Sequence, residues 1–213
     1  MTDQTLTHLY FLLDRSGSMQ SIRSDIEGGF AAFVDEQRAA PGACRVTLAQ
    51  FDDHYDVVYS DRDVDDVTAL DLAPRGMTAL HDAIGRLVTD AGARLAALPE
   101  AERPGTVIVA IMTDGLENAS SEWTGVAVKS LVEQQTTQWG WQFMYLGADQ
   151  DAVEVGTSLG VPAAQSMTYA RGKGREAMGK KSEKIRQMRA ARMTDAGAPM
   201  PAYTAQERAD LAD

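Results

Sequence analysis

The chain has 213 residues, 44% of them hydrophobic, with a formal net charge of −11 and a pI near 4.7. That length and apolar content suffice for one sizeable core and exclude wholesale disorder. The acidic balance argues against bulk binding to nucleic acid or to an anionic membrane.

A single cysteine, Cys44, excludes an internal disulfide. The opening stretch, MTDQTLTHLYFLLD, has neither the basic start nor the long apolar run of a signal peptide, and Leu9–Leu13 is too short to span a bilayer. These features predict a soluble, cytoplasmic protein.

Residues 7–13, THLYFLL, read as a buried strand, followed by the Ser/Gly turn DRSGSMQS. Ile22, Ile26, Phe30, Phe33 and Val34 then recur at helical spacing to about Arg38, where Pro41-Gly42 ends the helix. Cys44–Phe51 and His54–Tyr59 predict a hairpin turning at Asp52-Asp53. A second helix is expected over Ala79–Leu98, with Leu80, Ile84, Leu87, Val88 and Leu95 as its stripe. Thr106–Met112, TVIVAIM, is a continuous apolar run of the kind found in strands buried on both faces. A helix over Trp123–Gln138, a strand over Trp141–Leu146, a short helix over Ala152–Leu159 and a strand over Ala164–Tyr169 complete the alternation. Strands alternating with helices predict a doubly wound, mainly parallel sheet with one antiparallel edge strand.

The charge changes sign near residue 170. The stretch from Arg171 to Asp213 holds ten Lys/Arg and six Asp/Glu, against ten and 25 before it. This predicts a domain over 1–170 and a basic helical extension over 171–213. Met178, Ile185 and Met188 form a narrow apolar stripe, as in a solvated helix packed back on the acidic body. Thr204 and Glu207 fit a capping box for a short last helix.

Three segments place oxygen-bearing side chains where such a sheet gathers ligands, beyond the carboxyl ends of its strands. Asp14, Ser16 and Ser18 follow the first strand, Asp114 ends the TVIVAIM strand, and Thr78 lies where a loop enters a helix. Every one is a hard oxygen donor and none is His or Cys, which selects Mg²⁺, Mn²⁺ or Ca²⁺ over zinc or copper. Asp-x-Ser-x-Ser alone also reads as a turn whose Asp14 and Ser18 satisfy backbone N–H groups.

With these residues in this order, the chain resembles a von Willebrand factor A domain with an intact metal-ion-dependent adhesion site over residues 5–170. RGMTALHDAIG, TDGLENAS and YLGADQDA most resemble the small stand-alone bacterial and phage members. Asp149 departs from the Asn often found there in that family. The resemblance implies a Rossmann-like fold and a metal-dependent binding role, beside ATPases, in stress-response operons or in phage genomes.

Physical chemistry points the same way. In such a site Ser16, Ser18 and Thr78 would be neutral direct ligands, and Asp14 and Asp114 would complete or back up the shell, directly or through water. Where the aspartates act partly through water, an ion held this way stays electrophilic and has a position for an exogenous Asp or Glu carboxylate of a protein partner.

Around the five, Asp82 reads as an orienting partner of the hydroxyl ligands, as a carboxylate at a helix N-terminus, or as both at once. His81 reads as an exposed helix residue or as facing the site, and Glu117 and Asn118 as its rim or as solvated loop. Cys44 reads as a small buried hydrophobe. A metal-dependent phosphohydrolase is the rival from another class. It would carry an acid where Ser16 stands and a Lys between Thr78 and Asp114, and neither is present. A structural module stabilised by its metal is the third reading.

Overall fold

A computed structural model describes residues 1–212. Its six strands are β1 (Asp3–Asp14), β2 (Ala43–Phe51), β3 (Tyr55–Asp63), β4 (Pro104–Thr113), β5 (Gln142–Ala148) and β6 (Ser166–Tyr169). They form one sheet in the order β3-β2-β1-β4-β5-β6, with only β3 antiparallel to its neighbour. Six helices cover it: α1 (Arg23–Arg38), α2 (Leu80–Ala97), α3 (Gly125–Trp139), α4 (Ala152–Ser158), α5 (Gly174–Arg192) and α6 (Ala205–Ala212). This is the mainly parallel, doubly wound sheet with one antiparallel edge strand and a helical C-terminal extension that the sequence pattern predicts. Among the described residues, no helix is long and apolar enough to cross a membrane.

The alternation within β1 makes the two layers. Leu9, Phe11 and Leu13 point into a core shared with α1, α5 and α6, while Tyr10 and Leu12 point into one shared with α2, α3 and α4. On the first face Phe11 meets Phe30 and Phe33 edge-on, at ring-centroid distances of 5.3 and 5.2 Å. On the second, Gly85 of α2 lies against the Trp123 ring, so any side chain at 85 would drive the two apart.

Local signals set the helix ends. Thr124 Oγ1 accepts from Ala127 N (3.2 Å) to start α3, and Gly140, at φ 68°, ends it in the left-handed conformation. Asp151 caps α4 by accepting from Val153 and Glu154 N–H (3.1 and 2.9 Å). The box expected before α6 is present: Glu207 N–H donates to Thr204 Oγ1 (3.1 Å) and Thr204 N–H to Glu207 Oε2 (2.8 Å).

Two expectations need correction. The hairpin's second strand runs on past Tyr59 to Asp63, because polar edge residues still pair with β2 (Val46 with Arg62, Arg45 with Asp63) around an irregularity where Asp61 takes φ 52°. The stripe on α5 is broad. Besides Met178, Ile185 and Met188 it buries Gly174, Ala177, Lys181, Ser182, Lys184 and Arg189. Its cations bond to protein oxygens: Arg189 donates to Gln37 O and Oε1 (2.8 and 3.0 Å) and Gly42 O (2.9 Å), and Lys184 pairs with Glu207 (2.9 Å). Gln37 in turn donates to Ser182 Oγ (2.9 Å).

Candidate metal centre

The strand order reverses between β1 and β4, and the crevice beyond their carboxyl ends is the ligand position of this topology. Asp14 ends β1 there, fully buried, beside Asp114 just past β4. Asp14 Oδ1 accepts from Ser16 N–H (2.6 Å) and Oδ2 from Thr113 Oγ1 (2.5 Å). Ser18 Oγ donates to Asp114 Oδ1 (2.5 Å), and since that uses its one proton, the 3.1 Å contact between the two serine hydroxyls runs from Ser16 to Ser18. The result is a chain of oxygens, Ser16 to Ser18 to Asp114.

The third segment is zippered to the first. Arg75 N–H donates to Arg15 O (2.8 Å) and Gly17 N–H to Gly76 O (3.3 Å). Gly76 takes φ 66°, a left-handed turn with no room for a side chain against Asp53. This delivers Thr78, which Asn118 grips at both ends: Thr78 N–H donates to Asn118 Oδ1 (2.9 Å) and Asn118 N–H to Thr78 O (3.0 Å). Gly115 sits between the segments. A Cβ there would lie 2.8 Å from Thr78 Oγ1 and 3.6 Å from Asp14 Oδ2, so the cradle exists because position 115 has no side chain.

The outer residues act at one remove. Asp82, in the first turn of α2, does not orient a hydroxyl of the cluster. Its carboxylate accepts from Ser121, Glu122 and Trp123 N–H (2.9, 3.0 and 2.7 Å). Burial alone would raise its pKa, and these three bonds outweigh it and hold it below the usual range. Glu117 accepts from Ala119, Ser120 and His81 N–H (2.9, 2.7 and 2.8 Å). His81 is partly buried, its Nδ1 3.7 Å from Glu117 and its ring against Gly125. Together these residues pin the loop bearing Asn118 onto α2. Cys44 is buried, and burial pushes its thiol up to about 11, which fits a packing role.

Two contributors escaped the sequence reading. Thr113 had a signal, a hydroxyl at a strand end beside Asp114. Arg171 had none, because its role depends on where β6 delivers it.

The electrostatics suit a cation. Burial pushes Asp14 up to about 6, with hydrogen bonds from Thr113 and Ser16 opposing and Asp114 adding to the rise. Asp114 is also raised, chiefly by burial. Its buried Oδ2 has no hydrogen-bond partner among the described residues, although Arg171 Nη2 approaches to 3.0 Å out of alignment. Five hard oxygen donors, two of them buried carboxylates, fit Mg²⁺, Mn²⁺ or Ca²⁺.

This yields a stability prediction. A folded-state pKa raised above the unfolded value means that ionised Asp14 destabilises the metal-free fold once the pH rises through about 6. Asp14→Asn should therefore stabilise metal-free protein by roughly 2–3 kcal/mol at pH 7.5, a gain that fades through pH 6 and is gone below pH 4. Urea melts in chelator across that range measure it, and an Asn variant no more stable than wild type at pH 7.5 refutes it.

A second acidic group, Asp52, Asp53 and His54, brings three ligand atoms within 4.8 Å of one another. Asp52 is already neutralised: its Oδ2 accepts from Arg15 Nε (2.9 Å) and Arg75 Nε (2.8 Å), and its Oδ1 from His54 N–H (2.6 Å). Burial pushes it up, and the bonds from Arg75, His54 and Arg15 bring it below the ordinary range. Two guanidinium groups stand where a cation would have to approach, so Asp52 serves as the pin that joins the loops at 15, 54 and 75.

No protein-family model and no curated protein matches the chain. Solved structures do. The VWA2 paralogue of ArnB from Sulfolobus acidocaldarius is 14% identical over 83% of this chain and 44% of that one, with a TM-score of 0.56. A von Willebrand factor type A protein from Catenulispora acidiphila is 14% identical over 84% and 42%, at 0.55. The von Willebrand factor domain of the type V pilus tip protein Mfa5 from Porphyromonas gingivalis is 11% identical over 84% and 94%, at 0.59. This chain spans less than half the length of the first two. At such identities the likeness is one of architecture: the chain has a von Willebrand factor A-like fold.

Proposed function

We propose that this domain binds one hard divalent cation, Mg²⁺ or in its place Mn²⁺ or Ca²⁺, and uses it to capture an Asp or Glu side chain of a protein partner. Ser16, Ser18 and Thr78 would hold the ion, with Asp14 and Asp114 completing the set. The observation that carries this reading is the convergence of three chain segments on two buried carboxylates, one of which keeps an oxygen without a hydrogen bond. When bound, the cation supplies a Lewis-acidic position for one more anionic oxygen. The surrounding residues position rather than react: Asn118 sets Thr78, Thr113 sets Asp14, and Asp82 and Glu117 hold the loop. The role is that of an adaptor or scaffold in the cytoplasm rather than an enzyme. Ser16 is no general acid at neutral pH, and no Lys lies between Thr78 and Asp114.

The test pairs calorimetry with a pull-down. Wild type should bind Mg²⁺ or Mn²⁺, and Asp14→Ala should lose that binding together with any partner retained only in the presence of metal. Equal metal binding by the two proteins would sink the site. Metal binding that raises thermal stability but recruits no carboxylate-bearing partner would reduce the ion to a structural role.

A further inference from the structure

Arg171 follows β6 and reaches across the mouth of the candidate metal centre. Its Nη2 lies 3.0 Å from Asp114 Oδ2, its Nε 2.9 Å from Asp149 Oδ2, and its Nη1 3.1 Å from Ser21 Oγ and 3.4 Å from Ser18 O. One guanidinium thus touches the loop after β1, the end of β4 and the end of β5. Asp149 holds it in this pose from two sides, because Arg171 N–H also donates to Asp149 Oδ1 (3.1 Å). Asp149 takes φ 48°, a conformation that Asp tolerates, and its own N–H donates to Tyr169 O (3.0 Å). The aspartate at 149 therefore has a use that an asparagine would serve less well: it supplies charge to anchor the arginine.

Among the described residues, Arg171 is the one cationic side chain in ion-pair contact with either Asp14 or Asp114. It neutralises the carboxylate that a divalent ion would also use, and it contacts Ser18, another of the proposed ligands. A doubly charged ion arriving there either meets a fixed positive charge at short range or displaces it from its partners, and both oppose metal entry.

We infer that Arg171 is an internal counter-cation that competes with the divalent ion and sets the affinity of the site. This rests on the metal-binding reading above. The guanidinium keeps Asp114 compensated when the metal is absent, so the loops stay assembled, and it raises the metal concentration needed to load the site. Because Arg171 is 38% exposed, it has room to swing toward solvent once an ion is bound.

Calorimetric titration with Mn²⁺ tests this on the full chain. Arg171→Met, unbranched and uncharged but too short to reach Asp114, should bind Mn²⁺ roughly tenfold or more tightly than wild type. Arg171→Lys, which keeps the charge, should stay nearer to wild type. Met-variant affinity equal to or weaker than wild type overturns the inference, the weaker result marking Arg171 as a supporting wall of the site. No Mn²⁺ binding by wild type and variant alike defeats the metal reading itself, whereas equal binding by both defeats only the role of Arg171. A readout in the wild-type protein does not depend on the Met variant folding. Adding Mg²⁺ should move the Arg171 Nε–Hε NMR signal, assigned through Arg171→Lys, toward that of a solvated guanidinium, and an unmoved signal at saturating Mg²⁺ overturns the inference.

Discussion

A chain that stops at Ala170 should fail to fold. The charge reversal there suggests a boundary, yet α5 supplies Ala177, Met178, Ile185 and Met188 to the core that β1 and α1 share. Removing the three larger side chains forfeits roughly 5–9 kcal/mol of burial, at about 1.5–3 kcal/mol each. It also uncovers the face of α1 at Gly29, against which Met178 packs, and strips Gln37 of its bonds to Ser182 and Arg189. A domain of this kind has only about 5–15 kcal/mol in total, so the loss rivals the whole stability. Circular dichroism and a thermal melt of residues 1–170 provide the check. A cooperative transition near that of the full chain would show that the acidic body is an autonomous domain and that 171–213 is an appendage.

Replacing Lys181 by Met should stabilise the protein, and the gain should depend on pH. Lys181 lies fully buried on α5, its Nζ donating to Ile111 O (3.1 Å) and standing 4.9 Å from the centre of the Phe11 ring. No acidic group pairs with it among the described residues, and burial pushes its pKa down to about 7. Between about 7 and 10.5 the unfolded chain binds a proton that the folded one does not, so wild-type stability rises with pH across that window. Below pH 7 the penalty of a buried ammonium is fully present, roughly 3–5 kcal/mol from the shift. Met fills similar volume without charge. Allowing for the lost bond to Ile111 O, Lys181→Met should gain about 2–4 kcal/mol near pH 6.5, with the advantage shrinking toward pH 10. Chemical denaturation at pH 6.5, 8 and 9.5 measures both. A variant less stable than wild type at pH 6.5 would mean that the carbonyl and the aromatic face compensate the charge.

These two cases mark where the sequence pattern stops being informative. Composition made the tail look solvated because Lys and Arg ordinarily sit outside. Lys181, Lys184 and Arg189 are inside because α5 presses them against backbone carbonyls and Glu207, partners far away along the chain. Periodicity could register only Met178, Ile185 and Met188. The edge strand β3 outruns its apolar pattern for a related reason: hydrogen bonding to β2 continues through polar residues that carry no apolar alternation.

Much of the rest could be read in advance because it is local. Apolar runs and their breakers marked each strand and helix, the Thr204/Glu207 spacing marked a cap, and the alternation of elements implied the doubly wound sheet with its crevice at the strand ends. The five candidate ligands were legible as hard oxygen donors at those ends. What required the folded molecule was orientation and charge. Only there do Ser16 and Ser18 chain their hydroxyls to Asp114, does Asn118 clamp Thr78, does Asp82 turn away to the 121–123 backbone, and does Arg171 come to lie on Asp114. Residue type and order along a chain specify which chemistry is available at a strand end. Distances between groups some forty to a hundred residues apart, and the burial that sets their charge, arise only when the layers pack.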